Sequence, residues 1–211
     1  MTDSSGYVDP ALAGVRIEET EMSRGTLILK GALAAGAVYG ASTVAPFVGR
    51  ALAQSKGDID IVNFALTLEY LEADFYKRTA KDAGLSGELK TLAREFGENE
   101  QEHVDALTQT AKDLGGTPAK KPTFSFPVTD QASFLKLAVT LEDTGVSAYN
   151  GAAPSIKSKD VLAAAGGIVQ VEARHAAAIR LQADQDPAPD AFDKTLSEGK
   201  VLAAVKPFIE A

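Results

Sequence analysis

Cysteine is absent from all 211 residues. Its absence excludes disulfides, rubredoxin-type iron, iron–sulfur clusters and thiol nucleophiles together, so any chemistry has to run on oxygen and imidazole ligands. Positive charge is also in short supply: 21 Lys and Arg stand against 29 Asp and Glu, a formal net charge of −8. A nucleic-acid partner needs a basic patch that releases counterions from the phosphate backbone, so this composition argues against DNA or RNA. No segment has the β-branched alternation of a sheet strand, which argues against an α/β fold.

Hydrophobic residues make up 45% of the chain and charged residues 24%, enough apolar material for one well-buried core, and a single domain is expected. The first fifty-odd residues read differently. From Gly25 to Val48 the stretch GTLILKGALAAGAVYGASTVAPFV is apolar and rich in small residues. Arg24 precedes it, and Ala51-Leu52-Ala53 follows as an A-x-A cleavage signature before Gln54. The segment from Ser23 to Lys30 is similar to the twin-arginine export motif, degenerate in that Gly25 stands where the second arginine belongs. Residues 1–53 are therefore expected to be an export signal to the periplasm or cell envelope, and residues 54–211 the folded domain. Lys30 and Pro46 interrupt the apolar stretch and weigh against a membrane span, although membrane association through an uncleaved signal stays open. Residues 1–53 hold five acids and four bases, so the acidic character belongs to the domain.

Four segments of that domain repeat apolar residues at three- and four-residue steps. They run over about 58–83, 86–114, 129–153 and 158–185, each long enough for a rod of close to 40 Å at roughly 1.5 Å per residue. Asp58 is a plausible N-cap of the first and Gly84 its stop, while Gly115-Gly116 ends the second and Pro154 the third. Short links join the first to the second and the third to the fourth, which favours antiparallel neighbours. The middle link, GGTPAKKPTFSFPVT, is longer, and its three prolines keep it extended. The expectation is an all-α four-helix bundle with one long crossover between helices two and three, the ferritin-like connectivity. After Asp186 a weak helical stretch around Leu196–Val205 suits a lid or packing arm.

The chain also repeats itself. Thr67-Leu68-Glu69 with Tyr76 matches Thr140-Leu141-Glu142 with Tyr149, and Glu100-x-x-His103 matches Glu172-x-x-His175. The single Glu precedes its Glu-x-x-His by 31 residues in one half and 30 in the other. Residues three apart on a helix share a face, with Cβ atoms about 5–6 Å apart, so each pair offers an oxygen and an imidazole nitrogen to one metal. One Glu from each of two helices and a Glu-x-x-His from each of the other two is the di-iron or di-manganese donor set of helix bundles. The chain has only two histidines, and both follow a Glu at that spacing. Four carboxylates on core-facing positions would each cost about several kcal/mol unless paired or metal-bound. Glu69, Glu100, His103, Glu142, Glu172 and His175 are thus the candidate metal ligands. Glu72, three residues after Glu69, has Gly145 at its counterpart position and is expected beside the site or on the surface. Tyr76 and Tyr149 either hydrogen-bond a ligand carboxylate or pack as plain core aromatics. Glu95, Glu98 and Glu102 read as a solvated acidic face, and the Gly166-Gly167 pair as a place of close helix approach.

At these residues the chain resembles the ferritin-like superfamily, and most closely the exported ferritin-like domain proteins grouped with bacterial and plant desiccation-related proteins. The resemblance spans about residues 57–208, with NFALTLEYLEADFY, the two Glu-x-x-His pairs, PTFSFPV and VLAAVKPFI as landmarks. It implies a two-metal site in which Glu69 and Glu142 are terminal ligands, Glu100 and Glu172 bridges, and His103 and His175 the imidazoles beside them. The resemblance fixes no reaction; for the site itself the expectation is two iron ions, with manganese as the alternative, that meet O2 or peroxide in a ferroxidase- or peroxidase-like oxidoreductase. Di-manganese, catalase-like peroxide dismutation and a non-catalytic envelope stress-protection role are the competing expectations. A homodimer is left open, and the rubredoxin cysteines of rubrerythrin are missing.

Overall fold

A computed structural model describes residues 56–210. The expected export signal at residues 1–53 lies outside the described residues. Four long helices, Lys56–Asp82 (α1), Gly87–Asp113 (α2), Gln131–Ala152 (α3) and Lys159–Gln182 (α4), are followed by a short one, Glu198–Val205 (α5). Single 3-10 turns follow α3 at Ala153–Ser155 and α5 at Lys206–Phe208. The most extensive packing is α1 on α2 and α3 on α4, and the two hairpins meet through α1 on α3 and α2 on α4. This is the expected all-helical bundle with one long crossover. No helix among the described residues is long and apolar enough to cross a membrane.

Local chemistry sets the ends. Gly84 at φ +64° and Gly115 at φ +79° take the left-handed conformation that stops α1 and α2. There the amide of Leu85 reaches back to Ala80 and that of Gly116 to Ala111, satisfying carbonyls that the helix end would strand. Asp130 closes a capping box with Ser133 at the start of α3. Asp58 departs from expectation. The helix already begins at Lys56, so Asp58 lies in its first turn, fully buried, and accepts the amides of Lys157 and Ser158 at 2.9 Å each. It therefore caps the chain entering α4 and pins α1 to the start of α4, a non-local use of a residue type that usually caps its own helix. Gly166 and Gly167 also depart from expectation: no neighbour lies within 4 Å of where their Cβ atoms would be, among the described residues, so close helix approach does not explain them. Close approach occurs instead at Gly97, whose Cβ would lie 3.0 Å from the Tyr76 Cβ across the α1–α2 contact.

The crossover does not float. Phe124 is 1% exposed and forms an isolated bridge with Ile209, flanked by Ser125 N–H to Phe208 O and Glu210 N–H to Thr123 O at 2.9 Å each. Phe126 stacks on Phe124 and Phe208 and meets Phe75 edge-on, so the PTFSFPV landmark and the C-terminal turn seal one end of the core together. The stretch after Asp186 is a packing arm: Val201 and Val205 are buried, and the Leu196 amide bonds Ser147 O on α3. Under that bond lies Gly151, where an added Cβ would fall 1.9 Å from the Leu196 carbonyl oxygen. Backbone cannot yield as a flexible side chain does. Gly151→Ala is expected to cost about 1–3 kcal/mol by overpacking, lowering the melting temperature by roughly 2–4 °C per kcal/mol in a chain of this size. Hydrogen exchange should speed up at residues 196–209 while the α1–α2 hairpin stays protected.

Candidate metal centre

Each long helix delivers its acidic or imidazole groups at mid-length, where neighbouring rods face one another. Glu69 and Glu72 come from α1, Glu100 and His103 from α2, Glu142 from α3, and Glu172 and His175 from α4. Glu69, Glu100, Glu142 and Glu172 have no exposed surface, and His175 is 3% exposed. They form two overlapping groups: Glu69, Glu100, His103 and Glu172, and Glu100, Glu142, Glu172 and His175, each with its donor atoms within 4.8 Å of one another. Glu100 and Glu172 belong to both. The structure thus brings all six sequence-picked residues into one cluster, with the two Glu-x-x-His glutamates in the middle and Glu69 and Glu142 at the flanks.

The tyrosines cross over. Tyr149 of α3 donates to Glu69 of α1 at 2.5 Å, and Tyr76 of α1 donates to Glu142 of α3. Of the two expectations for these tyrosines, a hydrogen bond to a ligand carboxylate is the one the structure shows, and each tyrosine makes it across the helix pair. Because α1 and α3 run antiparallel, a tyrosine seven residues past its own glutamate instead lies level with the glutamate of the other helix. Both tyrosines also pack: Tyr76 makes edge contacts with Phe75, Phe96 and Phe134 in one apolar cluster, and Tyr149 belongs to a second with Leu66, Val104 and Val161. The four ligand carboxylates themselves have no exposed surface.

Glu72 occupies the gap that Gly145 leaves. It is 2% exposed, which rules out the surface position, and its Oε1 lies 3.1 Å from where a Gly145 Cβ would be. The broken symmetry of the repeat at 72 and 145 therefore has a steric meaning, since any side chain at 145 would have to displace a buried carboxylate. Glu98 and Glu102 are exposed and Glu95 half-buried beside Arg94, away from the cluster. Asn99 was not legible as part of the site: its amide lies 3.1 Å from His175 Nε2, and Phe96 stacks on that imidazole with centroids 4.0 Å apart. The only signal in the sequence was a polar residue at a repeat position where the second half has Val171.

Burial dominates the electrostatics. It pushes the Glu69 carboxyl up to about 8, reinforced by the nearby Glu172 and opposed by the hydrogen bond to His103. It also holds Glu72 and Glu142 well above the ordinary carboxylate range, with neighbouring carboxylates adding to the rise for both. Burial pushes Glu100 the same way, but His175 and His103 outweigh it and hold that group well below the usual range. Burial alone would lower both imidazoles, yet their carboxylate partners, led by Glu100, hold them well above their usual value.

A test of whether metal fits lies in the atoms left over. Glu72 Oε2, Glu100 Oε1, Glu142 Oε2, both Glu172 oxygens and His175 Nδ1 are buried without a hydrogen-bond partner. Several of these are close in distance nonetheless, as His175 Nδ1 is to Glu100 Oε1 at 2.8 Å and His103 Nδ1 to Glu172 Oε1 at 3.0 Å. The distances are those of ion pairs, while the directions are not those of donor and acceptor. Donors gathered around a common point have that property. So many unsatisfied buried polar atoms in one place require a reason, and hard oxygen donors with imidazole suit a divalent first-row cation.

The family model described as a ferritin-like domain matches residues 57–185, more than half of the chain. No curated protein matches the chain.

Proposed function

We propose a function that begins with the family: the chain belongs to the ferritin-like domain proteins. On that footing the buried cluster is a two-metal carboxylate centre, and the pair it holds is iron. Glu69 and His103 would serve one ion, Glu142 and His175 the other, with Glu100 and Glu172 shared between them. The observation that carries this reading is the shared membership of Glu100 and Glu172 in both four-residue groups.

When bound, an iron pair supplies one-electron steps by which O2 or peroxide is reduced, which gives a ferroxidase- or peroxidase-like oxidoreductase. The protein's part is positional. Tyr149 and Tyr76 each occupy one oxygen of a flanking glutamate, which fixes the direction of the other. Glu72, with an unpartnered Oε2 in the cluster, is placed to hold or release a proton there. An apolar cavity of about 30 Å³ touches Tyr149, lined among others by Phe64, Leu68, Leu107 and Val161. It is suited to a small apolar molecule such as O2 rather than to an organic substrate.

Anaerobic addition of Fe(II) to metal-free protein followed by air should give a near-ultraviolet ferric absorbance that saturates at two irons per chain. A flat spectrum from folded protein counts against the reading. We propose further that the protein acts in the periplasm or cell envelope, as the desiccation-related resemblance implies. The A-x-A signature before Gln54 supports this. Protein purified from its native compartment should begin at Gln54, and an intact Met1 start there would refute cleavage.

A further inference from the structure

The two halves of the repeat place identical residue types at the six ligand positions but surround the two imidazoles differently. Asn99 stands one residue before Glu100, and its counterpart before Glu172 is Val171; Phe96 stands four before Glu100, and its counterpart is Ile168. In the folded protein both Asn99 and Phe96 serve His175. The Asn99 amide lies 3.1 Å from Nε2, and the Phe96 ring stacks on the imidazole at 4.0 Å with a 24° angle between the planes. His103 has no such support: among the described residues its hydrogen-bond and ion-pair partners are carboxylates, all through Nδ1, and its side chain is 12% exposed against 3% for His175. A valine can neither accept nor donate, so the first half has no group in the second that answers to Asn99.

We propose that Asn99 is a positioning residue that makes the two metal positions unequal, so that the ion at His175 and Glu142 is held tightly and the ion at His103 and Glu69 is exchangeable. The inference rests on the two-metal reading of the cluster. An imidazole whose Nδ1 holds a metal carries its remaining proton on Nε2, and that N–H needs an acceptor once it is buried. A half-turn of the Asn99 amide presents its carbonyl oxygen at the same place, and the two amide orientations differ little in shape. Phe96 then keeps the ring from rotating and keeps water away from it. His103, at the wetter face with Nε2 unsupported by protein, keeps its rotational freedom and gives up its ion more easily. The sequence repeat makes the donor set symmetric, and the residues behind it break that symmetry.

The experiment is a titration of the metal-free full chain with Mn(II), following free Mn(II) by its magnetic resonance signal, so that no oxygen chemistry enters the readout. Wild-type protein should bind two ions in two steps whose affinities differ by about 10- to 100-fold, the usual effect of an outer-shell partner. Asn99→Val, the residue of the other half, should weaken the tighter step until the two merge, leaving the weaker step unchanged. Asn99→Asp, which keeps an acceptor, should restore the separation. Two well-separated steps persisting in Asn99→Val would overturn this inference alone. Failure of wild-type protein to bind Mn(II) at all would overturn the two-metal reading and this inference with it.

Discussion

Glu172→Gln is expected to abolish binding of both metal ions, whereas Glu69→Gln should remove one. The difference follows from the geometry of sharing. Glu172 belongs to both donor groups, each of its oxygens is buried without a hydrogen-bond partner, and the groups nearest it, His103 and His175, are themselves candidate ligands. Replacing one oxygen by an amide nitrogen removes a negative charge that both ions need and turns a donor of electron pairs into a hydrogen-bond donor. Glu69 belongs to one group only, and its other oxygen already accepts from Tyr149. Equilibrium dialysis against Mn(II) or Fe(II) should therefore give near zero ions per chain for Glu172→Gln, one for Glu69→Gln and two for the exposed control Glu98→Gln. The expected loss in the shared-ligand variant is at least 100-fold in affinity for each ion, beyond the tenfold to hundredfold typical of groups one shell out.

The second large effect is a reversal of the pH dependence of stability on loading. In metal-free protein Glu69 titrates at about 8 folded, against an ordinary value of 4.5. Between those values the folded state binds a proton that the unfolded state has released, so stability falls as pH rises from about 5 to about 8, by up to about 1.4 kcal/mol per pH unit for each such proton. Glu72 and Glu142, raised by burial, act in the same sense. The imidazoles, raised by their carboxylate partners, hold protons that unfolded histidines lose above about 6.5, and they steepen the fall. Glu100, held low, acts oppositely and only in acid: its contribution is present above its unfolded value and lost as pH drops through the folded one. Metal ions replace those protons, so in loaded protein rising pH frees ligands for the metal and stability rises. Thermal melts from pH 5 to pH 8 should slope downward without metal and upward with saturating Mn(II). At a free concentration of a hundred times Kd, each ion adds about 2.7 kcal/mol. Parallel slopes would mean that the cluster takes up no cation.

Much of this arrangement was legible because helix periodicity and ligand spacing share one geometry. Glu100 and His103 had to share a face, and the matched spacing in the second half had to bring Glu172 and His175 to the same depth in an antiparallel bundle. The helix ends were readable where a glycine with positive φ ends a helix, as at Gly84 and Gly115. The failures have a common cause. Asp58 caps a helix a hundred positions away, and Asn99 serves an imidazole on another rod. Each is a contact between helices whose register single-helix periodicity does not state. Glu72 shows the same limit: its lack of a counterpart was visible, but that Gly145 makes room for it depends on how α3 faces α1.

The most direct measurement is anomalous diffraction from crystals soaked in Mn(II) or grown with Fe(II). The account predicts two peaks per chain, about 3–4 Å apart, with Glu100 and Glu172 in contact with both, Glu69 and His103 at one, and Glu142 and His175 at the other. A single peak elsewhere on the acidic surface, or a cluster that stays metal-free at saturating concentration, would contradict it.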